Sequence, residues 1–185
     1  MKKYGIVFSV AAVVLILDQL TKWYIRQWLP LYDSVVVIES FFHITHLRNP
    51  GAAFGLLADA DAALRIPFFI VVAMIAVTAL TFFVRRIEDH RLLLLISLGA
   101  ILGGAFGNLT DRILMGAVTD FLDFHIRGFH WPAFNVADSG ISVGMVILIL
   151  HSLFAPEALG EPNPPSAPPL EKGGGRSSPP SATSR

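Results

Sequence analysis

Two short polar blocks, GNLTDR at residues 107–112 and FNVADS at residues 134–139, determine how this chain must fold. The first block ends one very apolar segment, and the second begins another. Four aspartates lie within and between the blocks, namely Asp111, Asp120, Asp123 and Asp138. Ionisable groups at the edge of a membrane span are costly, so they usually face the bundle interior and act there. We therefore interpret two of these aspartates as a proteolytic pair.

The composition is that of a membrane protein. Of 185 residues, 54% are hydrophobic and 15% are charged, and the mean hydropathy is +0.61. A soluble domain carries about 25% charged residues. The formal net charge is +0, so the chain shows no sign of binding nucleic acid. Because there is no cysteine, disulfides, a thiol nucleophile and thiolate metal ligands are excluded.

Long apolar runs predict four transmembrane helices, at about residues 4–29, 66–84, 92–114 and 134–154. The first run follows a basic start but is too long for a signal peptide, and no small-residue cleavage site follows it. Residues 156–185 are rich in Pro, Ser and Gly and are expected to form a disordered tail. The positive-inside rule favours cytoplasmic termini, which puts the aspartate pair at the outer face.

The segment between the first two spans is too polar to cross a membrane. Residues 35–46 are rich in β-branched and aromatic side chains and predict short strands, and residues 49–51 predict a turn. Residues 52–57 and 60–64 predict a short amphipathic piece at the interface. Residues 115–132 are interpreted as a second extramembrane loop. The expected fold class is an all-α membrane protein with four transmembrane helices, a small extracytoplasmic β-rich cap and a short interfacial helix.

Glycines mark the third span as a packing helix. Gly99, Gly103 and Gly107 recur at every fourth residue, with Gly104 beside them. Small residues at this spacing let helices approach closely in lipid. A phosphate-binding loop would need a preceding strand and a Lys-Ser or Lys-Thr ending, and the sequence has neither.

The first span carries Asp18 and Lys22, four residues apart with the acid first, which is the favourable order for a helical ion pair. Two interpretations stay open. In the first, the pair neutralises itself and Lys22 extends its amine to the interface. Alternatively, the pair contributes to the site.

Helical spacing gathers the polar residues near the aspartates. Asn108 and Arg112 share one helix face, and Asn135 and Asp138 share another. Two aspartates in contact share one proton, so one can activate water while the other protonates the scissile carbonyl. Asp138 lies in the first turn of a helix, which favours its charged form and indicates that it is the base. For its partner, spacing alone leaves Asp120, Asp123 and Asp111 open.

Other hydrolytic chemistries fit less well. A zinc peptidase needs a motif such as His-Glu-x-x-His, which is missing. His125 and His130 could bind a metal with a carboxylate, but we interpret them as interfacial loop residues. Ser139 adjoins Asp138 without a Gly-x-Ser-x-Gly elbow or a lysine partner.

Five blocks together give the chain a specific resemblance. They are DQLTK (18–22), RNPGAAFG (48–55), GNLTDR (107–112), GAVTDF (116–121) and FNVADS (134–139). In this order they closely resemble the bacterial lipoprotein signal peptidases, also called signal peptidase II. The resemblance runs from residue 18 to the end of the fourth span.

The resemblance implies an inner-membrane aspartic endopeptidase that cleaves diacylglyceryl-modified prolipoproteins just before the lipidated cysteine. It implies no cofactor or metal, inhibition by globomycin, and Asp120 and Asp138 as the catalytic pair. The residues expected to bind substrate or support the site are Asp18, Lys22, Asn49, Gly51, Asn108, Arg112 and Asn135. We expect a monomer in contact with membrane lipid. The alternative is a small four-span proton-coupled transporter or lipid-binding protein, although transporters usually carry midplane charges and internal repeats.

Overall fold

The computed structural model describes residues 2–51 and 60–154. The interfacial piece predicted at residues 52–57 and the tail predicted at residues 156–185 lie outside the described residues. The elements in chain order are α1 (Lys2–Trp28), β1 (Ser34–Ile38), β2 (Phe42–Asn49), α2 (Ala62–Arg86), α3 (Leu92–Met115), β3 (Val118–Ile126), β4 (Phe129–His130) and α4 (Val136–Phe154).

All four helices are long and apolar enough to cross a membrane, as predicted. The shortest, α4, has 19 residues, and at about 1.5 Å per residue it can span most of a hydrocarbon core. The second helix begins earlier than expected, because the Asp61 carboxylate accepts a hydrogen bond of 2.9 Å from the Ala63 amide. Residues 62–64 therefore form the first turn of α2, and the prediction that they belong to an interfacial piece is wrong.

The helix α3 is the centre of the bundle and packs against α1, α2 and α4. Its glycines bring two neighbours close, as predicted from their spacing. A Cβ added at Gly103 would lie 2.5 Å from the carbonyl oxygen of Ala11 on α1. One added at Gly104 would collide with the carbonyl oxygen of Ala137 on α4. Adjacent glycines thus allow two different helices to approach α3 closely.

The start of α1 and the end of α2 lie together at one end of the bundle. The Lys3 ammonium donates hydrogen bonds of 2.9 Å to the carbonyl oxygens of Arg85 and Ile87, just where α2 ends. This contact fixes the start of α1 beside the end of α2. The strands connect the opposite helix ends and therefore form the cap at the other end of the bundle.

The cap is one antiparallel sheet of four strands in the order β1-β2-β3-β4. The strands expected at residues 35–46 are present. Interpreting residues 115–132 as a loop was wrong, because Val118–Ile126 pairs along β2 and its backbone groups are satisfied there. An extra residue of β2 between Ile44 and Leu47 makes a bulge in this pairing.

Close packing at Gly103 gives a direct test of the bundle. We expect Gly103→Ala to lower the thermal unfolding temperature in detergent, with a loss of about 1–3 kcal/mol, because its methyl group meets backbone atoms. Gly5→Ala is the matched control, since a Cβ there has nothing within 4 Å. Equal unfolding temperatures for the two variants would contradict the close approach of α1 and α3.

Candidate active site

The start of α4 holds one carboxylate and reaches the other. Asn135 precedes the helix, and its side-chain oxygen accepts a hydrogen bond of 3.0 Å from the Asp138 amide. In return, the Asp138 carboxylate accepts from the Asn135 amide at 3.3 Å. This reciprocal pattern is a capping box. The Asn135 side-chain nitrogen also donates to Asp120 on β3 at 2.7 Å, so one residue touches both aspartates.

A second asparagine braces this arrangement from α3. The Asn108 side-chain nitrogen donates to the Asp138 carboxylate at 2.7 Å. Its oxygen accepts from the Lys22 ammonium at 3.0 Å and from the Asn135 nitrogen at 3.2 Å. An amide can donate and accept at once, so Asn108 joins three elements without adding a charge.

The turn after β2 supplies the other contact to Asp120. The Asn49 nitrogen donates to the Asp120 carboxylate at 2.9 Å, and its oxygen accepts from the Gly51 amide at 3.0 Å. The predicted turn is therefore present, held by an asparagine side chain. The Gly51 carbonyl in turn accepts from the Arg112 guanidinium at 2.8 Å, which also lies over the Phe69 ring at 4.4 Å.

Behind these contacts lies a buried ionic cluster. The Lys22 ammonium lies 2.8 Å from the Asp18 carboxylate and 3.3 Å from that of Asp111, and all three side chains have 0% exposure. The pair predicted between Asp18 and Lys22 is therefore present. The interpretation that Lys22 extends to the interface is wrong, because the ammonium finds two carboxylates inside the bundle.

The two carboxylates of this cluster also hold backbone. Asp18 accepts a hydrogen bond of 2.9 Å from the amide of Ala137, in the first turn of α4. Asp111 accepts one of 3.0 Å from the amide of Thr119, at the start of β3. The cluster thereby fixes the beginnings of the two elements that carry Asp120 and Asp138.

Asp120 lies in a strongly perturbing environment, with 3% of its surface exposed. Burial raises the pKa of the Asp120 carboxyl from its ordinary value of 3.8 to about 6. The hydrogen bond from Asn49 opposes this rise, and the neighbouring carboxylate of Asp138 adds to it. A carboxyl group with a raised pKa beside a second carboxylate is the arrangement needed to share a proton near neutral pH.

The two aspartates line one cavity of about 1060 Å³. Its polar wall is formed by Asn49, Asn108, Arg112, Asp120 and Asp138. Its other walls include apolar side chains from the loop before α4 and from α4 itself, namely Trp131, Pro132, Phe134, Ile141 and Val143. The cavity thus combines carboxylates with enough apolar surface to hold a lipid-like or membrane-embedded ligand.

The structure separates the three aspartates that the sequence left open as partners of Asp138. The Asp111 carboxylate forms an ion pair with the Lys22 ammonium. Asp123 lies an odd number of residues from Asp120 on β3, so it points to the opposite face of the sheet. There it accepts a hydrogen bond of 3.0 Å from His130. Asp120 is the candidate that lies with Asp138 in the cavity.

The structure corrects one sequence interpretation, that of the neighbouring histidines, and locates the neighbouring serine. His125 and His130 do not lie in a loop but on β3 and β4, where they pair directly across the sheet. β3 pairs along β2, which is distant in the chain, and the local sequence does not reveal such pairing. Ser139 lines the cavity, and its hydroxyl donates to the Asn135 carbonyl at 2.9 Å.

Sequence reasoning also missed residues that complete the ionic cluster. Gln19 donates hydrogen bonds to Asp18 at 3.1 Å and to Asp111 at 3.2 Å. Arg26 lies 3.7 Å from the Asp111 carboxylate. Gln19 stands inside the DQLTK block and Arg26 lies four residues after Lys22, so helical spacing was the available signal.

Comparison with known proteins identifies the family of the chain. The sequence model described as signal peptidase (SPase) II matches residues 10–154. The chain belongs to the signal peptidase II family. A lipoprotein signal peptidase of Syntrophus aciditrophicus is 47% identical over 154 residues, covering 83% of this chain and 96% of that protein. One from Geobacter metallireducens is 46% identical over 150 residues, covering 81% and 91%.

Solved structures extend the likeness from sequence to fold. A bacterial membrane enzyme determined by the in meso method at 2.3 Å resolution is 36% identical, with a TM-score of 0.73, and covers 80% of this chain and 88% of that one. A second, at 1.9 Å, is 33% identical with the same TM-score. The resemblance identified from the five blocks is confirmed. This signal peptidase II family member is a multi-pass protein of the bacterial inner membrane and a peptidase.

The buried cluster predicts a large effect of removing its cation. Lys22→Met leaves two carboxylates buried without their counter-ion, and we expect a loss of about 3–5 kcal/mol in stability. The measurement is the thermal unfolding temperature of the signal peptidase in detergent. Lys2→Met is the control, since Lys2 is exposed on the same helix. An unchanged unfolding temperature for Lys22→Met would contradict the role of the cluster.

The raised pKa of Asp120 predicts a pH-dependent stability. The folded protein holds the proton more tightly than the unfolded chain, so this stabilisation is complete below pH 3.8 and is lost as the pH rises through about 6. Over that window the change amounts to about 3 kcal/mol. Asp120→Asn cannot titrate. Its unfolding temperature should therefore rise relative to that of the parent as the pH increases from 4 to 7.

The control for this comparison is Asp33→Asn, which removes one carboxylate at an exposed position in the cap. It separates the titration of Asp120 from the general effect of removing one carboxylate. A difference between Asp120→Asn and the parent that does not change with pH would show that Asp120 titrates as an ordinary carboxyl group.

Proposed function

We propose that this protein removes signal peptides from diacylglyceryl-modified prolipoproteins, cleaving just before the lipidated cysteine, with Asp120 and Asp138 as the catalytic pair. One observation carries the proposal. A single asparagine, Asn135, contacts both carboxylates, which line a cavity with one polar wall and several apolar ones. This arrangement suits a peptide bond that arrives attached to acyl chains and a membrane helix.

We assign the shared proton to Asp120 and the charge to Asp138 before the reaction. Asp120 is buried on a strand, and burial favours its protonated form. Asp138 lies in the first turn of α4, where the helix dipole and the Asn135 amide favour a carboxylate. The environments of the two groups thus push them toward different roles.

From this state the reaction needs only the two side chains and water. The Asp138 carboxylate takes a proton from a water molecule, and the resulting hydroxide attacks the scissile carbonyl carbon. Asp120 donates its proton to the carbonyl oxygen, which gives a neutral tetrahedral intermediate. When the intermediate collapses, the C–N bond breaks and the proton held by Asp138 passes to the leaving amine. A proton from the intermediate's hydroxyl returns to Asp120.

The polar residues around the pair position the substrate. Asn49 and Asn108 each donate to one catalytic carboxylate and so fix its orientation. Arg112 holds the Gly51 carbonyl and thereby anchors the turn that carries Asn49. This keeps the turn beside the cavity, where the substrate backbone would lie. Fixed hydrogen-bond donors near a reacting carbonyl lower the barrier because they need no rearrangement during the reaction.

The orientation in the membrane follows from the charges at the end of the bundle away from the sheet. That end carries Lys2, Lys3, Arg85, Arg86 and Arg91. By the positive-inside rule we place it and both termini in the cytoplasm, which puts the cavity at the extracytoplasmic face. Both carboxylates and their partners come from one chain, so we propose that the monomer is active.

A four-span transporter or lipid-binding protein is the alternative class. A transporter places its ionisable groups near the membrane midplane. Here Asp120 lies on the cap sheet and Asp138 in the first turn of α4, so the catalytic pair lies at one end of the bundle. The family of the chain likewise favours the peptidase.

The test of the proposed pair is cleavage of a lipidated prolipoprotein by purified variants. Asp120→Asn and Asp138→Asn should each slow cleavage by about 100-fold or more, because each removes one proton-transfer group. Asp33→Asn should cleave at the parent's rate, since Asp33 is exposed and lies in the same cap. The membrane abundance of all three variants is measured alongside, and it must be equal for the cleavage rates to be compared.

Cleavage at nearly the parental rate by either active-site variant would exclude that residue from the catalytic pair. If both variants bind the lipidated precursor but release no signal peptide, the loss lies in the chemical step and not in folding. This outcome would support the assignment.

A further inference from the structure

A second group of chemically active side chains lies on the sheet, away from the cavity. It consists of His43 on β2, Asp123 and His125 on β3, and His130 on β4. His43 pairs directly with Asp123 across the sheet, and His125 pairs with His130. Directly paired residues share a sheet face, and so do residues two apart on one strand. All four therefore lie on one face, opposite to that of Asp120.

Three of these residues bring ligand atoms together. A ring nitrogen of His43, a carboxylate oxygen of Asp123 and a ring nitrogen of His125 all lie within 4.8 Å of one another. The rings of His43 and His125 meet edge to face, with their centroids 4.3 Å apart. Two imidazoles and one carboxylate form a donor set typical of Zn²⁺ and related transition-metal ions.

An unpartnered nitrogen points independently to a ligand. His125 is only 9% exposed. Within residues 2–51 and 60–154, its buried Nδ1 has no hydrogen-bond partner. A buried polar atom without a partner is costly, and such atoms usually have a missing water or ion as the explanation. The neighbouring imidazole and carboxylate make a cation more suitable than an isolated water.

His130 completes the surroundings of these three residues. Its Nδ1 lies 3.0 Å and 3.2 Å from the two carboxylate oxygens of Asp123. Its ring stacks on that of His125, with the centroids 4.6 Å apart. Ligating carboxylates are commonly held by such a hydrogen bond, which fixes their orientation toward the metal. His130 is therefore placed to hold Asp123 in position.

We propose that His43, Asp123 and His125 bind one divalent transition-metal ion, with Zn²⁺ as the best match, and that His130 orients Asp123. In a tetrahedral zinc site the ligand atoms lie about 3.3 Å apart, so small side-chain rotations close the present spacing around the ion. A water molecule would fill the fourth position. The ion would join β2 to β3, the strands that carry Asn49 and Asp120, and proteolysis would not require it.

The first measurement is zinc binding by the full-length protein, purified in detergent without a polyhistidine tag and stripped with a chelator. Titration calorimetry with ZnCl₂ should give one ion per chain, and the unfolding temperature should rise with zinc concentration. Co²⁺ in place of zinc should give the visible absorption of a tetrahedral site with nitrogen and oxygen ligands. Absence of binding at micromolar zinc would overturn the proposal.

Variants then locate the ion. His43→Ala and His125→Ala should each abolish the stoichiometric binding, and Asp123→Asn, which changes the shape least, should do the same. His130→Ala should weaken binding by about 10–100-fold. His90→Ala is the matched control, because His90 is exposed on the turn between α2 and α3 and should leave binding intact. Undiminished binding by the His43 and His125 variants, or its loss in His90→Ala, would overturn the site.

Discussion

The buried ammonium of Lys22 is the constraint on which the rest of the structure depends. A cation with no exposed surface has lost its hydration, and it is tolerable only because Asp18 and Asp111 lie at 2.8 Å and 3.3 Å. Each of these carboxylates also accepts a hydrogen bond from a backbone amide: Asp18 from Ala137, and Asp111 from Thr119. The two carboxylates that neutralise Lys22 therefore also fix where α4 and β3 begin.

From this cluster a chain of hydrogen bonds leads to Asp138 and Asp120, the proposed catalytic pair. Lys22 donates to Asn108, Asn108 donates to Asp138, and Asn135 links Asp138 to Asp120. The linking side chains, Asn108 and Asn135, are amides, which can both donate and accept hydrogen bonds without adding a charge to a buried site. The cavity thus holds two carboxylates in fixed positions, while the Lys22 ammonium, paired with Asp18 and Asp111, does not line the cavity.

The sequence predicted the parts of this molecule that depend on local pattern. Long apolar runs predicted the helices, and four-residue spacing of Gly99, Gly103 and Gly107 predicted their close packing. It did not predict that residues 118–126 form a strand, because their partner β2 is distant in the chain; the contact from Asn49 to Asp120 spans 71 residues. Without that strand, nothing in the residues alone could separate Asp120 from Asp123. The family resemblance selected Asp120, and strand alternation explains why Asp120 lines the cavity and Asp123 does not.

One strand thus carries ionisable side chains on both of its faces. Along β3, Asp120 faces the cavity, whereas Asp123 and His125 face the opposite side with His43. A register slip of one residue would exchange the two faces of β3. It would turn Asp120 away from the cavity and turn Asp123 and His125 toward it. The bond from Asp111 to the Thr119 amide opposes such a slip at one end of the strand, and the pairing of His125 with His130 opposes it at the other. The register of β3 is therefore set from both ends, and Asp120 lies between them.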